Sequence, residues 1–118
     1  MQKTTSPISS IRKASEGAET GAGTTNSSKV NAGGYGTAKA FLNITAVSGT
    51  SPTLDVKFQD SYDGTNWVDV ASGAFSQKTA TGASSLVLSN VGPYLRAVRT
   101  RGGTSPSFTY DLYLAGVN

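Results

Sequence analysis

Residues 53–70 read TLDVKFQDSYDGTNWVDV, and this stretch decides the fold. Leu54, Val56 and Phe58 alternate with Asp55, Lys57 and Gln59, the period-2 signature of a strand with one buried face. Val68 and Val70 alternate with Trp67 and Asp69, so a second, shorter strand returns. Between them, residues 60–66 are turn chemistry: Asp satisfies backbone amides locally and Gly64 supplies the positive φ of a tight reversal. The stretch is predicted to be a β-hairpin. A lone hairpin is marginal in water, so the rest of the chain must supply strands that cover its apolar face.

Working outward, Ser28 to Asn31 reads as a short first strand. Residues 35–47 read as a long central one, with Ala38, Ala40, Leu42, Ile44 and Ala46 on one face and Phe41 on the other. Downstream, a short strand is expected around Phe75, another at residues 85–88, another at residues 94–101, and a last one in which Phe108, Tyr110, Leu112 and Leu114 alternate with polar or small neighbours. Gly49-Thr50-Ser51-Pro52 recurs as Gly103-Thr104-Ser105-Pro106. Proline cannot donate to a ladder, so each GTSP is expected to sit where pairing lapses, the two marking either long hairpins at the same end of a sandwich or a distant internal duplication. The expected fold is all-β: an antiparallel β-sandwich, jelly-roll or Ig-like, of about seven to eight strands.

Residues 1–23 show neither hydrophobic period and are dominated by Ser, Thr, Gly and Ala. They are expected to be an extended N-terminal arm, with the sandwich domain in residues 24–118. Such an arm could reach about 75 Å at ~3.3 Å per residue. Ile8 and Ile11 would be its apolar pegs, and Arg12 and Lys13 its means of pairing with acids on a partner; the plain alternative is a disordered tail.

At 118 residues the chain makes one domain. It has no cysteine and no histidine, which excludes disulfides, thiolate zinc sites, thiol nucleophiles and Ser-His-Asp or His-ligated metal chemistry. Ten Lys and Arg are spread among seven acids, for a net charge of +3, which is not the dense basic stripe of a specific nucleic-acid binder. Neither a secretory leader nor a membrane-length apolar run is present in the sequence, so a soluble chain made in the cytoplasm is expected, with no membrane partner.

Among possible sites, Asp60, Asp63 and Gly64 lack the ligand ladder of a calcium loop, and turn capping is the expected role. Gly33-Gly34-Tyr35-Gly36 has no following helix, so no phosphate cradle or cofactor is expected. No catalytic residue can be named. Tyr62 and Trp67, near the hairpin tip, are a candidate glycan platform, with a core tryptophan as the competing reading. Phe41 is a candidate contact for the arm or another subunit. Arg99 and Arg101 share a strand face and could contact a partner's acids or phosphates; the competing reading is a solvated sheet face.

Residues 36–61, DGTNWVDV at 63–70, YLRAVRT at 94–100 and GGTSPSFTYDLYLAG at 102–116 together resemble a family of small virion structural proteins of tailed bacteriophages. The resemblance implies a non-catalytic virion protein, with capsid decoration as the leading role and tail or head–tail joining as the alternative. The implied partners are the major capsid protein and copies of the chain itself. The S-x-DG-x-x-W element, Ser61 to Trp67, also resembles hairpins of galactose-binding-like sandwiches, which implies a carbohydrate-binding module instead.

Overall fold

A computed structural model describes residues 5–32 and 36–117. Eight strands form one antiparallel network: β1 (Thr5–Arg12), β2 (Glu19–Thr20), β3 (Gly23–Asn26), β4 (Val30–Asn31), β5 (Thr37–Ser61), β6 (Trp67–Ala74), β7 (Gly82–Ser89) and β8 (Tyr94–Val117). The only helix among the described residues is a single 3-10 turn at Ala14–Glu16, and no helix there is long and apolar enough to cross a membrane.

Two very long strands organise the fold. β5 and β8 pair with each other from Thr37↔Val117 to Ser61↔Tyr94. The first half of β5 also pairs with β7, from Thr37↔Ser89 to Ile44↔Gly82, while the second half of β8's length pairs with β1 and β2. The other halves take β6 on one side and β3 and β4 on the other. The result is two four-strand-wide layers joined by one two-stranded ribbon, the expected sandwich.

The ribbon changes layers at the two GTSP segments. They do not connect separate strands: each lies inside one strand, and Thr50 stands opposite Thr104. Register shifts flank Thr50, and Ser51 and Ser105 both adopt φ 49. Such irregularities bend and twist a ladder sharply, and here two copies of one tetrapeptide bend both strands at the same place. A further shift between Ile44 and Ala46 breaks the expected alternation, so Ala46 is exposed while Val47 packs against the core.

Between the layers lie Leu42, Leu112, Leu114 and Leu88 from one and Leu54, Val56, Phe58 and Leu95 from the other, each at most 1% exposed. The expected short strand at Phe75 continues β6: its N–H donates to the Val56 carbonyl at 2.9 Å, and its ring meets Phe58 at 6.3 Å.

The N-terminal segment differs most from expectation. Residues 5–12, 19–20 and 23–26 are strands on β8, so the stretch expected as an arm belongs to the sandwich. Polar edge strands need no apolar period, because their pairing is backbone to backbone. Their composition therefore hides them.

Candidate functional site at the hairpin tip

The turn between β5 and β6 is held by side chains acting on backbone. Ser61, 4% exposed, accepts the Gly64 N–H at 2.8 Å and donates to Asp63 Oδ1 at 3.0 Å. Asp63 Oδ1 accepts the N–H groups of Thr65 and Asn66, both at 2.9 Å, and its Oδ2 accepts from Asn66 Nδ2 at 2.8 Å. Gly64 sits at φ 80, the left-handed conformation that closes the turn. The Asn66 and Thr65 amides together hold the Asp63 carboxyl well below the usual carboxylate range. It is thus an anionic cap, and a poor proton donor near neutrality.

Asp60 reaches sideways: its Oδ2 accepts the Gly92 N–H at 2.8 Å, tying the hairpin to the turn before β8. A groove of about 430 Å³ runs between these two turns, lined by Asp60, Tyr62, Asp63, Asn66, Val68 and Gly92. Tyr62 is 87% exposed and Val68 67%. An exposed aromatic on a braced turn, above carboxylates and an amide, presents a flat apolar face and several hydrogen-bonding groups together.

Trp67 does not share that platform. It is half-buried, and the Arg96 guanidinium lies 4.6 Å from its ring centroid, held there by an Nε–H donated to Gln59 Oε1 at 2.8 Å. One face of the indole is covered, and Tyr62 is left as the accessible ring.

The other sequence-derived candidates divide. Phe41 is 41% exposed on the outer face of β5, with Lys39 Nζ 5.3 Å from its ring, and Lys13 is exposed beside the 3-10 turn; both remain available to a partner. Ile11 packs against the core instead of projecting as a peg. The side chain of Ile8 lies outside the described residues.

Arg99 and Arg101 are neither a solvated face nor an outward contact. They follow Leu95 and Ala97 on the inward face of β8 and are 6% and 8% exposed. Glu19 meets both, Arg101 at 2.8 Å and Arg99 at 3.1 Å. Arg12 also turns inward, 3.9 Å from Glu19 and with its guanidinium 5.3 Å from the Tyr110 ring centroid. Tyr110 donates its hydroxyl to Glu19 at 2.6 Å; burial first and this bond second push its phenol well above the ordinary tyrosine range, so it stays protonated. Sequence reasoning missed Glu19 altogether. The parity of Leu95, Ala97, Arg99 and Arg101 was the available signal, since it put two arginines on an apolar face that demands a buried acid.

No protein-family model matches the sequence, and no curated protein matches it. Among solved structures, the chain is similar to the PBSX exported protein XepA, with 14% identity, a TM-score of 0.57 and 95% of this chain covered. The chain spans only 43% of XepA. It is also similar to CpGH89CBM32-5 of Clostridium perfringens, solved in complex with GalNAc-β-1,3-galactose, with 13% identity, a TM-score of 0.52 and coverage of 96% and 93% of the two chains. A third likeness is to a truncated AlyQ with CBM32 and alginate lyase domains, at 15% identity and a TM-score of 0.51, covering 98% of this chain and 34% of that one. At these identities the likeness is one of fold, and that fold is the antiparallel β-sandwich.

Proposed function

We propose that the chain is a non-catalytic binding module that holds carbohydrate at the hairpin tip. The observation that carries this reading is Tyr62, projecting from a turn fixed by Asp63 and Ser61 at the lip of a groove rich in hydrogen-bonding groups. A sugar ring would stack on the phenol while Asp60, Asp63 and Asn66 take its hydroxyls, an apolar face and a few fixed polar groups being the ordinary make-up of a small-molecule site. The match in fold to a module solved with a galactose-containing disaccharide supports it. Tyr62→Ala is expected to weaken glycan binding at least about tenfold, the scale of one lost aromatic contact, with the thermal midpoint unchanged because so exposed a side chain holds no core. Calorimetry with the glycans that score on an array measures this. Equal affinity in wild type and variant, or no glycan bound by either, would sink the reading.

The second reading is virion adhesion, supported by the sequence resemblance of residues 36–116 and by the fold it shares with the PBSX exported protein XepA. Here the sandwich would sit on a capsid, with copies repeated over the shell supplying avidity. Its contacts would fall on outward groups such as Phe41 and Lys13, because Arg12, Arg99 and Arg101 turn inward around Glu19. The full chain, mixed with undecorated shells, is expected to pellet saturably at a fixed ratio to the capsid subunit, and Phe41→Asp to reduce that ratio. Absence from shells together with presence in intact virions would transfer the chain to the tail or neck.

A further inference from the structure

A second cleft, sharing no residue with the hairpin tip, opens along the side of the sandwich between the edge strand β1 and the turn joining β3 to β4. It has a volume of about 310 Å³, and its lining includes Ser9, Ser10, Asn26, Ser28 and Arg99. No acid lines it. Its one charged group is Arg99, which is 6% exposed and whose buried Nε has no hydrogen-bond partner among the described residues. Behind that residue, three guanidiniums, from Arg12, Arg99 and Arg101, share the single carboxylate of Glu19. Tyr110 contributes no negative charge there, since its hydroxyl donates to the same carboxylate.

Buried charges are ordinarily matched one for one. Here two positive charges are left over, and one of the arginines that carry them lines a cleft whose other polar groups are hydroxyls and an amide, with Ile11 and Val30 as its apolar wall. We propose that this cleft binds an oxyanion, a carboxylate, sulfate or phosphate group on a small ligand, with Arg99 as its counter-charge and the β1 and β3–β4 hydroxyls as donors. Arginine suits such groups because its planar fork matches their geometry. A neutral ligand would leave the surplus charge uncompensated.

The test is a titration of the isotopically labelled full chain with sodium sulfate, sodium phosphate, sodium glucuronate and, as the neutral control, glucose, all at constant ionic strength. The expected result is a saturable shift of the Asn26, Ser28, Ser9 and Ser10 amides and of the Arg99 Nε resonance with the oxyanions and none with glucose. Arg99→Gln is expected to weaken it at least about tenfold, the scale of one charge-assisted hydrogen bond. Should that variant fail to fold, Ser28→Phe, which fills the mouth from an exposed position and leaves the Glu19 pairs in place, is expected to abolish the shift with a native melting curve. Tighter glucuronate than sulfate assigns the group to an acidic sugar, and the reverse order to a free inorganic anion; either supports the site. Shifts that grow linearly without saturating, that persist in Ser28→Phe, or that glucose reproduces would overturn it. Tyr62→Ala is expected to leave this titration unchanged, so its failure and that of the hairpin-tip reading are separable.

Discussion

Glu19→Ala is expected to destabilise the fold by about 3–5 kcal/mol, the cost of removing one partner from a buried ion pair. The side chain of Glu19 is 11% exposed, and those of Arg99 and Arg101 are 8%, so water cannot replace it freely. Its loss would strand two guanidiniums outright, loosen Arg12 and leave the Tyr110 hydroxyl without its acceptor. Cooperative unfolding would then shift downward by on the order of 15 °C. Glu19→Gln keeps an acceptor for Tyr110 and one arginine but removes the charge, and should fall between Glu19→Ala and wild type. Tyr110→Phe removes a single hydrogen bond and should cost only about 1 kcal/mol. Circular-dichroism melts of the three variants give the ranking. A Glu19→Ala melt within about 2 °C of wild type would mean that the cluster is solvated and that the inward arginines are not a structural charge pair.

This cluster also marks where the sequence stopped being readable. The hairpin at residues 53–70 was legible because Leu54, Val56 and Phe58 are apolar on one parity, and the same is true of Leu112 and Leu114. Burial on one face writes a period of two into the chain. The strands before Val30 write no such period: they lie at sheet edges, their bonds are to the β8 backbone, and most of their residues are Ser, Thr and Gly. Nothing local distinguishes such an edge strand from a tail, and only the position of Arg99 and Arg101 on an apolar parity hinted that an acid from elsewhere must reach them. The site was legible in part for a related reason. Asp63 and Gly64 announce a capped turn by local chemistry, which fixes where Tyr62 stands. That Arg96 covers Trp67 depends on β8, which lies on the far side of β5 from β6 and brings in a residue 29 positions away in the sequence, which no local pattern encodes.

The paired GTSP corner gives the second large effect. Gly49 has φ 112 and Gly103 φ 102, conformations that L side chains rarely adopt. A Cβ on Gly49 would lie 2.6 Å from the Ser105 carbonyl oxygen, and one on Gly103 2.5 Å from that of Ser51. Each glycine therefore presses on the backbone of the opposite copy of the motif, where no flexible side chain can yield. Gly49→Ala or Gly103→Ala combines a left-handed penalty of about 1–2 kcal/mol with an overpacking cost of about 1–3 kcal/mol, and is expected to destabilise by about 2–5 kcal/mol in denaturant melts. Gly21→Ala separates the two contributions: its φ is 86 but a Cβ there meets nothing within 4 Å, so only the conformational share should appear. The double variant Gly49→Ala with Gly103→Ala is expected to cost less than the sum of its parts. Moving the two strands of the ribbon apart at the corner relieves both contacts at once, and residues that share one backbone shift are not additive. Strict additivity would show that the two tetrapeptides bend independently, and that their facing positions in the ladder carry no mechanical coupling between the layers.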